Sequence, residues 1–407
     1  MARSAGLNFL PQAVAQASQA GHIHATMGKF NVSQRCQRRL SSIQCYVQAR
    51  NQQAVFDGIE PLRAFRMPWP HFMFPAIRVS KVSGHSHNVL PSLEFFGKVQ
   101  SMNAQQKLKS LVDQLNTVIV GKPAQTRDCL ACLLAGGHLL IEDVPGVGKT
   151  TLAHALARTL GLQFSRVQFT ADLMPSDLSG VSVYERSKES FVFHPGPLFT
   201  QVLLADEINR ASPKTQSALL EAMEEKQVSV DGQTRTLPSP FFVIATQNPF
   251  DQVGTYALPE SQLDRFLMRI SLGYPDRRAE RDLLAGRDRR DLADTLPSLL
   301  TGAELQALQH SVLAIHAAEP LLDYVQDLIA ATRNGQWFVK GLSPRAGMAV
   351  LRAAKAQALL CERDYVAPDD VQAILAQTVA HRLIPVGDAA RGSVEQVRAM
   401  LDAVPLP

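Results

Sequence analysis

The pattern of apolar and polar positions divides the chain near residue 101. Before that point no stretch sustains helical or strand periodicity. Pro68, Pro70 and Pro75 interrupt the one aromatic-rich run, so no regular element longer than a few residues fits there. A polar and then amphipathic helix is expected from Met102. Helix-period segments then alternate with short apolar runs at 138–142, 163–168, 201–205 and 241–246. Each run is β-rich or uniformly apolar and bounded by turn or helix signals, as strands buried on both faces are. Beyond Pro275-Asp276 the periodicity is helical only, with helix starts marked by Thr301 ahead of Glu304 and by Pro368-Asp369-Asp370. The expected fold is α/β: a parallel sheet covered by helices on both faces, then an all-α domain.

Composition narrows the class. At 407 residues and 46% hydrophobic, collagen-like and wholly disordered chains are excluded. The longest nearly uncharged apolar stretch, 129–141, has thirteen residues and contains His138, too short to cross a bilayer. Five cysteines, odd in number and irregularly spaced, point to a reducing, cytoplasmic setting rather than a disulfide framework. Cys129 and Cys132 have no second ligand pair at metal-site spacing and read as buried helix positions. The net charge of +4 averages two unlike segments. Residues 1–101 hold eleven basic and three acidic side chains, a balance of +8, and the remainder balances to −4. The larger part is acidic and has no basic stripe, which argues against a nucleic-acid partner. Residues 1–101 are read as a basic, disordered extension, or as upstream sequence ahead of a true start at Met102. The acid-free first fifty residues also weakly resemble a transit peptide.

Chemistry concentrates where strands end. The run 139–142 leads into Asp143-Val144-Pro145-Gly146-Val147-Gly148-Lys149-Thr150-Thr151 and a helical segment. A strand, a glycine-containing loop and a helix N-terminus aim several backbone N–H groups at one point, where an anion is favoured. Lys149 is expected on the β- and γ-phosphates and the Thr150 hydroxyl on Mg²⁺. The loop departs from G-x-x-x-x-G-K-[ST] because Asp143 stands at the first glycine. The run 201–205 ends in Asp206-Glu207, suited to hold a metal shell and to take a proton from an attacking water. The run 241–246 delivers Gln247-Asn248-Pro249, where Asn248 could position that water. Arg265, in Leu263-Asp264-Arg265-Phe266, stands away from the phosphate loop in sequence and taken alone reads as a surface ion pair with Asp264 or Glu260. No Asn-Lys-x-Asp guanine reader occurs, so ATP is preferred over GTP. Residues 227–237 alternate about Asp231-Gly232, a hairpin signal.

Together, Pro-Gly-Val-Gly-Lys-Thr at 145–150, Leu-Ala-Asp-Glu-Ile-Asn-Arg-Ala at 204–211, Ala-Thr-Gln-Asn-Pro at 245–249, Leu-Asp-Arg-Phe at 263–266 and Gly-Leu-Ser-Pro-Arg-Ala at 341–346 resemble the AAA+ ATPases of the MoxR family. The resemblance covers roughly 102–385. It implies that Pro145, Gly146, Val147, Gly148, Lys149, Thr150 and Thr151 form Walker A and that Asp206 and Glu207 form Walker B. It makes Asn248 sensor 1, Arg265 the arginine finger with Arg269 as the fallback, and Arg345 sensor 2. Val120-Gly121-Lys122 matches the segment near the adenine, so Val120 and Gly121 join the nucleotide set. The implied domains are an AAA+ core at 102–276 and a helical linker and lid at 277–407, with a helix-2 insert at 172–198. ATP and Mg²⁺ are the implied cofactors. The implied assembly is a homo-oligomeric ring, usually a hexamer, with the 227–237 hairpin facing its pore. The implied role is chaperone-like maturation or cofactor insertion in a client, with a von Willebrand factor A-domain protein as partner. The motor subunit of a chelatase-like complex and a nucleic-acid motor are the alternatives.

Overall fold

Alternate residues along the central strands enter two different cores, which is why the apolar runs are continuous rather than alternating. The computed structural model describes residues 91–249, 254–286, 289–387 and 393–407, all within one unit, Ser86–Pro407. The expectations placed on 1–90 lie outside the described residues.

Helices α1 (Pro91–Val118) and α2 (Pro123–Leu134) precede β1 (Leu139–Glu142), α3 (Lys149–Thr159) and β2 (Phe164–Gln168). A short α4 (Pro175–Ser179) and the hairpin β3 (Gly180–Glu185) with β4 (Ser190–Pro195) come next. The chain re-enters the sheet as β5 (Val202–Asp206), followed by α5 (Pro213–Glu225) and the hairpin β6 (Gln227–Val230) with β7 (Gln233–Thr236). Strand β8 (Phe242–Gln247), α6 (Glu260–Leu263) and β9 (Met268–Ile270) complete the α/β part. The rest is helical: α7 (Arg277–Ala285), α8 (Arg289–Asp294), α9 (Gly302–Ala314), α10 (Glu319–Arg333), α11 (Pro344–Leu360), α12 (Pro368–Val379) and α13 (Ser393–Ala403).

The five-stranded sheet has the order β2-β5-β8-β1-β9, and every pair is parallel. Leu139 and Ile141 of β1, Val202 and Leu204 of β5, and Phe242 and Ile244 of β8 face the core that includes α1–α3 and the helical region. Leu140, Leu203, Ala205, Val243 and Ala245 face the other, built with Leu219, Leu220 and Met223 of α5. Burial on both faces leaves these strands no polar position before their carboxyl ends, so the sequence pattern and the double cover are one fact. The helical region packs around α11 and α12. Ala346, Ala349, Ala353 and Ala354 let α11 approach Val371, Ile374 and Leu375 closely.

All four expected strands are present, within a residue of their expected limits. The hairpin at Asp231-Gly232 is also present, with both residues at positive φ as its two-residue turn requires. Strand β9 has three residues, too few to show a period, and the β3–β4 hairpin was not anticipated. The helix expected from Met102 starts at Pro91, where proline's preset φ suits a first helical turn, and runs through Met102. Among the described residues no helix is long and apolar enough to cross a membrane.

Candidate functional site

A cleft of about 620 Å³ opens at the carboxyl ends of the strands, beside the loop that leaves β1, which lies between β8 and β9 in the sheet. The first wall is the loop between β1 and α3. Gly146 and Gly148 have φ of +86° and +95°, which residues with a Cβ rarely adopt. A Cβ built at either would meet nothing within 4 Å, so the loop leaves an open cradle beside its own backbone at the start of α3. Pro145, Val147, Thr150 and Thr151 also line the cleft. Buried Lys149 donates to the Asp143 carbonyl oxygen at 2.7 Å. Burial pulls its ammonium pKa down, while the carboxylates of Asp206, Asp143 and Glu207 pull it back.

The aspartate at the loop's first position has its own task. Its buried carboxylate accepts from the Val144 N–H at 2.9 Å, the Gly273 N–H at 2.6 Å and the Ser271 hydroxyl at 3.1 Å. A glycine there would leave the segment after β9 untied from the loop.

The second wall carries the carboxylates. Asp206 ends β5, with Oδ2 accepting from Arg166 Nη2 at 2.7 Å and Oδ1 from the Thr246 hydroxyl at 2.6 Å. That hydroxyl also accepts from the Glu207 N–H at 2.9 Å. Glu207 is at φ +55°, a left-handed conformation costly for a residue with a Cβ. Its Oε2 receives Gln168 Nε2 and Arg210 Nε, both at 2.8 Å. Asn248, just beyond β8, lines the same cleft, as do Val118, Ile119, Val120 and Lys122. Gly121 stands between the lining residues Val120 and Lys122 at φ +73°, and a Cβ built on it would meet the Ala279 Cβ at 3.0 Å.

For Mg²⁺, the Thr150 hydroxyl and the Asp206 carboxylate supply hard oxygen donors on the same cleft. Among the described residues no group of three His, Cys, Asp or Glu could hold a metal unaided. Such a donor pair suits an ion that keeps waters and takes its other ligands from substrate oxygens.

The expected finger and sensor arginines are elsewhere. Neither Arg265 nor Arg345 lines this cleft; both lie in a second pocket of about 210 Å³. Arg265 Nη2 meets Glu224 Oε2 at 3.0 Å, and Arg345 Nη1 meets Oε1 of the same carboxylate at 3.1 Å. Lys226, Arg352 and Arg382 join them against only Glu224 and Asp264, so this pocket is basic. The sequence alternative of an Arg265 pair with Asp264 or Glu260 gives way to Glu224, and Asp264 instead holds Arg382 at 2.8 Å. Arg269 lines neither pocket; it is drawn to Glu142 at 2.9 Å. Arg166, Gln168 and Glu224 were not anticipated. A basic residue inside strand β2 was the one signal that could have flagged Arg166. Cys129 and Cys132 are buried free thiols whose pKa burial pushes up.

Comparison with known proteins agrees with this architecture. Residues 138–268 match the model for the ATPase family associated with various cellular activities (AAA), and residues 330–402 match an AAA lid domain. The Bacillus subtilis protein YeaC is 45% identical over 303 residues, 74% of this chain and 95% of that protein. Chaperone MoxR1 of Mycobacterium tuberculosis is 39% identical over 315 residues, 74% of this chain and 82% of that protein. The crystal structure of a candidate ATPase from Cytophaga hutchinsonii aligns with a TM-score of 0.71 at 34% identity, over 77% of this chain and 99% of that one.

Proposed function

The chain belongs to the MoxR-type AAA+ ATPases, and from that membership we propose that it binds ATP in the 620 Å³ cleft and hydrolyses it to ADP and phosphate. One observation carries the reading. The loop at 145–151, the Asp206-Glu207 pair and Asn248, far apart in sequence, converge on a cavity of nucleotide size. In this reading Val120 lies toward the base, the 145–151 backbone and Lys149 hold the phosphates, and Thr150 and Asp206 hold Mg²⁺. The ion would offset phosphate charge. Asn248 orients a water in line with the γ-phosphate, and Glu207 takes its proton as the new P–O bond forms and the bond to the β-phosphate oxygen breaks. Arg166 gives Asp206 a countercharge at the edge of the cleft. The left-handed backbone at Glu207 turns its carboxylate toward Gln168 and the cleft.

Arg265 and Arg345 supply the remaining positive charge from outside. Their distance from the chain's own cleft favours action on a neighbouring subunit's ATP, with Glu224 gathering both guanidiniums on one point. A head-to-tail contact of this kind closes into a ring, and we take the assembly to be a homohexamer. The working division is an ATPase core at 102–276 and a helical linker and lid at 277–407. Hydrolysis would change the angle between them and move the β3–β4 and β6–β7 hairpins, the latter toward the pore. The role is chaperone-like: maturation or cofactor insertion in a client, in the cytoplasm, with a von Willebrand factor A-domain partner. The test is Glu207→Gln. It should bind a fluorescent ATP analogue with wild-type affinity and release no phosphate. Unchanged turnover would refute the assignment.

A further inference from the structure

Two carboxylates precede the phosphate loop, and the roles proposed above use neither. Glu142 and Asp143 are adjacent at the end of β1, so their side chains leave the strand in opposite directions. Asp143 binds the loop's own backbone at Val144 and, through Ser271 and Gly273, the segment that follows β9. Gly273 lines the cleft, so this single buried carboxylate ties the phosphate loop to the part of the lining that follows β9. Glu142 reaches elsewhere. Its Oε1 accepts from Gln247 Nε2 at 2.7 Å and its Oε2 from Arg269 Nη1 at 2.9 Å. Gln247 is the residue before Asn248 and is held a second time, since its carbonyl accepts the Asp143 N–H at 3.1 Å. Arg269 also donates to the Ser393 hydroxyl at 3.2 Å, at the start of α13 in the helical region. A continuous polar chain therefore runs from α13 through Arg269 and Glu142 to the residue beside Asn248.

We propose that Glu142 and Asp143 are positioning residues with divided tasks: Asp143 sets the phosphate loop for nucleotide binding, and Glu142 sets Asn248 for hydrolysis and links it to the helical domain. The inference rests on the ATPase reading above. Its physical basis is that each carboxylate has a full set of partners on a different part of the site. Charge-assisted hydrogen bonds of this kind have the strength to hold a strand end in one geometry, and small misplacements of a water-orienting group cost much of its effect. Arg269, expected as a fallback finger, instead becomes the arm that carries the helical domain's position to Glu142.

The test separates affinity from chemistry in the full chain, using a fluorescent ATP analogue for binding and single-turnover ATP hydrolysis for rate. Asp143→Asn keeps the shape but loses an acceptor, which leaves a buried N–H unpaired. It should weaken binding about tenfold, with the saturated rate within about twofold of wild type. Ser271→Ala removes one of the three donors at little risk to folding and should shift binding the same way, about two- to threefold. Glu142→Gln should lower the single-turnover rate about tenfold and leave affinity within about twofold. Arg269→Met should lower the rate too, and add little in the Glu142→Gln background. If the Asp143 and Glu142 variants move affinity and rate alike, or move neither, the division of tasks is refuted. Glu207→Gln measured alongside distinguishes the failures. If that variant hydrolyses ATP normally, the ATPase reading falls; if it binds without hydrolysis while the split is absent, only this inference falls.

Discussion

Replacing Asp128 with asparagine should stabilise the protein at neutral pH and not in acid. Asp128 lies on α2 and faces α12, where Gln377 Nε2 donates to its Oδ2 at 3.2 Å. Burial pushes its carboxyl from the usual 3.8 up to about 6, against the lowering by Gln377 and by the Arg127 charge. A carboxyl raised in the folded state stabilises the fold as the neutral acid. That contribution is complete below about pH 3.8 and is lost as the pH rises through about 6. At pH 7.5 the shift corresponds to a penalty of about 2–3 kcal/mol on the folded state. Asparagine has nearly the same shape, its Oδ1 can still accept from Gln377, and it never ionises. Asp128→Asn should therefore gain about 2–3 kcal/mol in urea unfolding at pH 7.5, shrinking below about 1 kcal/mol by pH 4. His138 titrates with the opposite sign: burial pushes it down to about 4, so its charging destabilises the fold as pH falls below 6.5. That effect is common to both proteins and cancels in their difference. A variant less stable at pH 7.5, or a gain that does not change with pH, would refute the reasoning.

Other expectations are more direct. Arg265→Ala should cut steady-state turnover by about 10³ or more, and mixing with Lys149→Ala subunits should restore part of it. Absence of rescue at every mixing ratio would rule out action across an interface. Gly148→Ala, forced to φ +95°, should cost about 1–2 kcal/mol in thermal unfolding even though its Cβ would meet no atom, and should weaken nucleotide binding. Since Nδ1 of His138 accepts from the Val243 N–H and Nε2 donates to the Met223 carbonyl, the neutral ring joins β8 to α5. Acid unfolding midpoints should therefore shift lower in His138→Gln than in wild type, provided the glutamine is folded at neutral pH by circular dichroism.

The cleft was largely legible because its parts are local signals. Loop residues 145–151 announce themselves by glycine spacing between a strand and a helix. The pair Asp206-Glu207 and Asn248 stand at the ends of strands whose unbroken apolarity marks them as central. The second pocket was not legible. Arg265 and Arg345 are 80 positions apart in number, and nothing local to either predicts that they share Glu224, an acidic residue on an ordinary amphipathic helix. Asp143 looked like a defect in the phosphate-loop motif; only the position of Ser271 and Gly273 shows it as an anchor.

The sequence by itself determined four strands of the parallel sheet, the turn at Asp231-Gly232, the helix starts at Thr301 and Pro368 and the phosphate loop, because these follow from backbone preferences and side-chain periodicity over a few residues. Tertiary structure decided which charge meets which: Asp206 with Arg166, Glu142 with Gln247 and Arg269, Glu224 with two arginines from different parts of the chain. Charge pairing acts through space and has no period along the chain. It becomes defined only when the order β2-β5-β8-β1-β9 sets the strand ends side by side.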